Sequence, residues 1–277
     1  MAVVLIYRAL GLGDFLTGVP AYRALRRAFP EHRIVLAAPA VLAPLAELTG
    51  AIDEVVDTAP LGRAPAGADV AVNLHGRGPQ SHALLRAAHP RRLIAFTADR
   101  WREDEHEVHR WCRLLDEHGI AADPGELDLD RPRIASPAPG ATVIHPGAAS
   151  QARRWPAERW AEVARRLDDV VITGRPDERS PLIPGRPLDT DLLTLAATIA
   201  DARLVLCGDT GVAHLATAFG TPSVVLFGPT PPDRWGPPPD RDRHRVLWAG
   251  RTGDPHGSVP DPGLLEITVE QVLAALS

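Results

Sequence analysis

Short apolar runs of strand length alternate with longer stretches of helical period from one end of the chain to the other, the order that βαβ units around a mostly parallel sheet produce. In the first half, residues 3–7 (VVLIY), 33–37, 69–74 (DVAVNL) and 92–96 predict strands, with helices near 19–29, 40–49, 80–88 and 103–118. The second half repeats the alternation, with strands at 142–145 (TVIH), 169–173 (DVVIT), 203–207 (RLVLC) and 223–227 (SVVLF) and helices near 156–167, 190–199 and 210–219. Between them, 121–141 is rich in Pro, Gly and Asp and carries neither period, which predicts a domain boundary. The Pro-rich segment 228–240 predicts an ordered functional loop or a flexible lid. At the end, Thr268 is placed to cap a short helix over 266–276 whose apolar positions are Val269, Val272, Leu273 and Leu276. Two such α/β lobes facing each other would gather the carboxyl ends of both sheets around one crevice, where open α/β sheets place their ligands.

Composition sharpens this picture. The 277 residues, 45% of them hydrophobic, allow one α/β unit or two compact lobes with a sizeable core. A net charge of -5, without a block of like charges, argues against a nucleic-acid partner, which needs a basic stripe to neutralise phosphates. No apolar run approaches the ~20 residues of a membrane span, and the start, Met1-Ala2-Val3-Val4, has no positive leader. The expected location is cytoplasmic, with at most peripheral membrane contact. Cys112 and Cys207 are far apart and outside any CxxC spacing, so buried thiols are expected rather than a disulfide or zinc site. All 30 basic residues are Arg, so any phosphate held by a side-chain cation must be held by a guanidinium.

Three segments that follow strands carry candidate chemistry. After the first, Arg8-Ala9-Leu10-Gly11-Leu12-Gly13-Asp14 begins like a dinucleotide fingerprint, but the third glycine would fall at Leu16, which argues against NAD. What remains is a Gly-rich turn delivering the Asp14 carboxylate to the start of a helix, either as a base for a bound hydroxyl or only as an N-cap. After 142–145, the run from His145 through Ser150, Arg153 and Arg154 to Pro156 combines small residues with two cations, as a phosphate-holding loop does; solvated arginines on an ordinary loop read equally well. Pro156 suits the first position of the next helix. Asp209-Thr210-Gly211 opens a helix that Asp209 or Thr210 can cap, leaving free N–H groups for an anion. His214 follows one turn in, and Gly228-Pro229-Thr230 forms a third small-residue turn at the same edge. The pairs Asp128/Asp130, Asp189/Asp191 and Asp240/Asp242 have the spacing of a Mg²⁺ site, but the second precedes a helical pattern and reads as capping, and the others lie in Pro-rich loops. His75, His145 and His214 each follow a strand without zinc-ligand spacing. No metal is expected, and without a G-x-S-x-G elbow no serine hydrolase.

Taken together, GLGDFLTGVPAYRALRRAFP at 11–30, HPGAASQARRWPAERW at 145–160 and GDTGVAHLATAFGTPSVVLFGPTPP at 208–232 resemble, in order and spacing, the ADP-heptose:lipopolysaccharide heptosyltransferase family, glycosyltransferase family nine. The helix EHEVHRWCRLL at 105–115 is similar too. The resemblance implies an α/β GT-B fold of two Rossmann-like lobes facing a central cleft. It divides the chain into an acceptor lobe at 1–122, a linker at 123–140, a nucleotide-sugar lobe at 141–262 and a final helix at 263–277 crossing back to the first lobe. It also implies inverting, metal-independent sugar transfer from a nucleoside-diphosphate donor, ADP-heptose foremost, to an acceptor hydroxyl, with no cofactor. The family's base maps onto Asp14, and its diphosphate-binding Lys falls at Arg153 with Arg154 beside it. Its donor-binding residues fall at Ser150, Asp209, Thr210, Gly211, His214, Gly228 and Thr230. A ribose-holding Glu falls at Glu178, and the acceptor side at Gly11, Gly13, His75 and Arg77.

In residues 1–120 the arginines and the acidic side chains are equal in number, with local basic clusters at Arg23/Arg26/Arg27 and Arg91/Arg92. A glycan, a lipid-linked or a small-molecule acceptor are therefore all expected candidates. Two other functions fit the same motifs: a GT-B nucleotide-sugar epimerase, and a non-catalytic nucleotide-sugar-binding protein.

Overall fold

A computed structural model describes residues 2–276; Met1 and Ser277, the outer bounds of the expected first lobe and final helix, lie outside the described residues. The chain divides into two compact units, one ending at Asp130 and the other beginning at Arg131, a division inside the aperiodic segment 121–141.

The first unit runs β1 (Val3–Tyr7), α1 (Leu12–Thr17), α2 (Val19–Ala28), β2 (Arg33–Ala38), α3 (Ala43–Leu48), β3 (Glu54–Asp57), β4 (Val70–Asn73), α4 (Gln80–Ala87), β5 (Arg92–Ile94) and α5 (Glu107–Glu117). Its sheet has the order β3-β2-β1-β4-β5 with every pair parallel. Helices cover both faces of such a sheet, so its central strands must be apolar throughout, and Val4, Leu5, Ile6 and Tyr7 of β1 are all buried. Tyr7 pairs with Ala37 on one side and Asn73 on the other, so the three central strands end level with one another. The helix expected over 19–29 is α2, and α1 precedes it as a separate turn; Tyr22 fills the space where a Cβ of Gly18 would stand, 2.6 Å from Cζ. Residues 40–49 form a short 3-10 turn, Ala40–Leu42, followed by α3.

The second unit runs β6 (Thr142–His145), α6 (Ala157–Ala164), β7 (Val170–Ile172), β8 (Arg186–Pro187), α7 (Leu192–Ala200), β9 (Leu204–Gly208), α8 (Gly211–Phe219), β10 (Ser223–Phe227), α9 (Pro232–Trp235), β11 (His244–Trp248), α10 (Pro262–Glu266) and α11 (Val269–Ala274). Its sheet order is β11-β10-β9-β6-β7-β8, again all parallel. Read from its own first strand, β6, this is the doubly wound order 3-2-1-4-5-6 of a dinucleotide fold, and the first unit has the same order one strand shorter.

The capping readings hold at two helices. Asp191 accepts from the Thr194 N–H at 2.7 Å, and Thr268 and Gln271 form a reciprocal capping box at the start of α11. Pro156 stands at the N-cap of α6, one position earlier than expected. Segment 263–277, expected to cross back to the first lobe, sends Leu264, Ile267 and Val272 into the core of the second unit beside Trp155 and Trp160. There the Trp155 indole donates to the Ile267 carbonyl at 3.1 Å. Burying Leu264 and Val272 contributes about 1.5–3 kcal/mol each, which fixes α10 and α11 on α6. Cys112 and Cys207 are both buried, free thiols. Among the described residues no helix is long and apolar enough to cross a membrane.

Candidate functional site

In a doubly wound sheet the ligand crevice opens where the strand order reverses, outside the carboxyl ends of the first and fourth strands. In the first unit these are β1 and β4, and the loops that follow bring Asp14 and His75 to that edge. Asp14 lies at the third position of α1, whose N-cap is Gly11; the cap-only reading therefore fails on position, although the backbone N–H groups of Asp14 and Gly11 act on the carboxylate and lower its proton affinity. Its side chain is 29% exposed and stands 3.7 Å from Nη2 of Arg8. Burial raises its proton affinity, Arg8 opposes that rise, and Glu107 adds to it. A carboxylate held above its ordinary range is a better base than a solvated one. Gly11 is exposed and Gly13 half-buried in the turn. The ring of His75 lies 5.1 Å from that of Tyr7, and burial together with Arg8 keeps it neutral. Arg77 pairs with Glu103 at 2.8 Å on the exposed surface.

The residue that sequence reasoning missed here is Arg8, which is 1% exposed. Its Nη1 donates to the Leu74 carbonyl, so it bridges the loop after β1 to the loop after β4. A lone Arg after a strand reads as solvated charge; only its partner, Glu107 on α5, explains its burial.

In the second unit the reversal lies between β6 and β9. Arg153 bridges it as Arg8 bridges the first: Nη1 donates to the Asp209 carbonyl at 3.3 Å and lies 3.7 Å from that residue's carboxylate. The approach is close because position 208 is glycine, where a Cβ would stand 3.0 Å from the Arg153 carbonyl oxygen. Arg153 keeps 24% of its side chain exposed, and its Nε has no protein partner. Burial pushes the Asp209 carboxyl up to about 6 against the pull of Arg153. Thr210, not Asp209, caps α8, accepting from the Val212 N–H at 3.3 Å. Gly211 is therefore the first residue of the helix, and His214 lies in its opening turn with its ring 6.1 Å from the Trp235 indole of α9. The Pro-rich segment thus contains a helical turn.

The remaining predicted residues fall into two groups. Gly228 sits against α10, where a Cβ would come 3.0 Å from that of Leu264, and its carbonyl accepts from the Trp248 indole at 3.2 Å. Thr230, half-buried, follows in the same turn at the end of β10. Ser150 and Arg154, both half-buried, brace the loop after β6. The Ser150 hydroxyl donates to the Pro255 carbonyl at 2.6 Å. Arg154 donates to the Ala148 carbonyl at 2.9 and 2.8 Å and to Glu178 at 3.3 Å. Glu178 lies over Gly147, where a Cβ would come 2.6 Å from Oε2, and Arg175 also holds it at 3.0 Å. Burial pushes His145 down to about 4, and its ring meets the Thr173 hydroxyl at 3.1 Å. Among the described residues no group of three or more His, Cys, Asp or Glu side chains is gathered as a metal site requires.

The chain has known counterparts in sequence and in fold. Residues 185–256 match the model of glycosyltransferase family 9 (heptosyltransferase). Lipopolysaccharide heptosyltransferase 1 of Pseudomonas aeruginosa is 27% identical over 178 residues, covering 56% of this chain and 46% of that protein; the chain thus matches about half the length of this curated relative. In fold the likeness extends to the whole chain. A family 9 glycosyltransferase from Veillonella parvula superposes with a TM-score of 0.78 at 21% identity, over 99% of this chain and 96% of that one. An Escherichia coli heptosyltransferase solved with ADP gives 0.75 at 19% identity, over 99% and 98%. The α/β architecture of two parallel sheets is the GT-B fold of these neighbours, and over residues 185–256 the chain is similar to glycosyltransferase family 9, the heptosyltransferases.

Proposed function

We propose that the chain is an inverting, metal-independent glycosyltransferase that moves heptose or a related sugar from a nucleoside-diphosphate donor, ADP-heptose foremost, to a hydroxyl of a glycan, lipid-linked or small-molecule acceptor. The observation that carries this reading is the bridge between β6 and β9: Arg153, partly exposed and with an unpartnered Nε, stands beside the N-terminus of α8. As a glycosidic bond to a diphosphate breaks, negative charge grows on the leaving group. A guanidinium and a helix N-terminus answer that charge without a metal ion. The match to family 9 and the neighbour solved with ADP support the donor class.

Asp14 takes the acceptor proton in this reading. One carboxylate base without a second carboxylate nucleophile fits a single displacement, which inverts the anomeric centre. Its raised proton affinity suits the role. Glu178, clamped by Arg154 and Arg175, is the candidate for the donor ribose.

The test is ADP release from ADP-heptose over a panel of acceptor hydroxyls, with and without EDTA, for the native chain and Asp14→Asn. We expect EDTA to leave the rate unchanged and the variant to lose about 10²–10⁴-fold, the span of a general base. A variant at the native rate overturns the base, loss in EDTA reversed by added metal overturns metal independence, and an isomerised sugar formed without acceptor favours the epimerase.

A further inference from the structure

Beneath Asp14 lies an ion cluster that reaches outside the motif segments. The guanidinium of Arg8 is engaged on every arm: Nε donates to the Asp14 carbonyl, Nη1 to the Leu74 carbonyl, and Nη2 to the Thr17 hydroxyl and the Glu107 carboxylate, each at 3.0 Å. Its face also packs 5.0 Å from the Trp111 ring centre. Glu107, 6% exposed at the start of α5, accepts in addition from the Trp111 indole at 2.8 Å and from Arg110.

A guanidinium a few ångströms from a carboxylate lowers its proton affinity by about 1–3 pH units when nothing else answers its charge. Were Arg8 unpaired, its pull on Asp14 would cut further into the rise that burial gives that carboxylate. Glu107 meets the same Nη2 at 3.0 Å while Asp14 stands at 3.7 Å, so the arginine is paired first with Glu107. The other groups facing the pair are Arg110 on α5, the Tyr22 phenol on α2 and the His75 ring after β4. Burial raises Tyr22 and lowers His75, which leaves both neutral near pH 7. Glu107 itself stays ionised because Arg8 and Arg110 flank it. Asp14 is thus the member of the cluster left to take up a proton.

We propose that Glu107 is a positioning residue that acts through Arg8: by pairing with Nη2 it keeps the Asp14 carboxylate basic, while the rest of the guanidinium ties α1 to the loop after β4. The role rests on Asp14 being the base. It is tested by ¹³C carboxyl NMR titration of the full chain, with Asp14→Asn assigning the Asp14 signal. Glu107→Gln removes the competing negative charge and lowers the Asp14 midpoint by about one pH unit; Arg8→Gln raises it by about one. Glu107→Asp, which keeps the charge and protects folding, shifts it downward by less than Glu107→Gln. An Asp14 midpoint that stays fixed or rises in both Glu107 variants overturns the proposal. The two readings separate cleanly: moved midpoints with full turnover in Asp14→Asn keep the coupling and sink the base, and fixed midpoints with lost turnover do the reverse.

Discussion

Both units close their strand reversal with an arginine that follows the first strand and donates to the carbonyl just beyond the fourth, Arg8 to Leu74 and Arg153 to Asp209. Beyond that shared bridge they diverge. Arg8 is sealed by Glu107, Thr17 and Trp111 and has no exposed side-chain surface. Arg153 shares its charge with a single buried carboxylate, keeps a quarter of its side chain exposed and leaves Nε without a protein partner. The same backbone device therefore carries two kinds of cation. One is neutralised inside the protein beside a neighbouring acid; the other keeps part of its side chain exposed, as the proposed contact with a diphosphate requires.

The largest test of this contrast is stability. Arg8→Ala leaves Glu107 buried and short of its main partner, a change that costs about 3–5 kcal/mol, whereas Arg153→Ala leaves the equally buried Asp209, whose carboxyl burial already pushes up to about 6, free to take up a proton and should cost less. Urea denaturation of the two variants measures the difference, and equal losses would erase the distinction between the bridges.

A second effect separates the carboxylates. Asp209 holds its proton up to about 6 in the folded chain, against about 3.9 in an unfolded one. Its contribution to stability is thus complete below pH 4 and is lost as pH rises through 6. Relative to Asp209→Asn, which does not titrate, the native chain should lose about 2 kcal/mol between pH 4 and pH 7. Denaturation at several pH values checks this. Asp14, also raised, should give the same sign against Asp14→Asn, and a rise with pH in either pair would contradict the burial argument.

Much of this architecture is legible in the chain because the central strands of a parallel sheet are buried on both faces. VVLIY and SVVLF carry no charged position, and their inner residues are apolar throughout. The strands that escaped, β3, β8 and β11, are edge strands of the two sheets, where half-buried Glu54 and exposed Asp57 and Arg245 put charges into EVVD and HRVLW and the apolar run disappears. At the candidate site, the placement of Thr210 and Gly211 at the start of α8 was readable from small residues after a strand, and Arg153 stands beside them. Arg8 was not, because its partner Glu107 is 99 residues away in sequence and no local pattern distinguishes a sealed arginine from a solvated one. Ser150 and Arg154, whose residue types suit phosphate, also donate within the protein, to Pro255, Ala148 and Glu178, contacts that no local pattern foretells.

The division of labour between the two bridges is tested most directly by calorimetric titration of ADP into the native chain, Arg153→Gln and Asp14→Asn. Losing a charge-assisted hydrogen bond costs about 1.5–3 kcal/mol, so Arg153→Gln should bind ADP roughly tenfold to a hundredfold more weakly, while Asp14→Asn binds it as the native chain does. Native affinity in Arg153→Gln, or lost affinity in Asp14→Asn, would contradict the account.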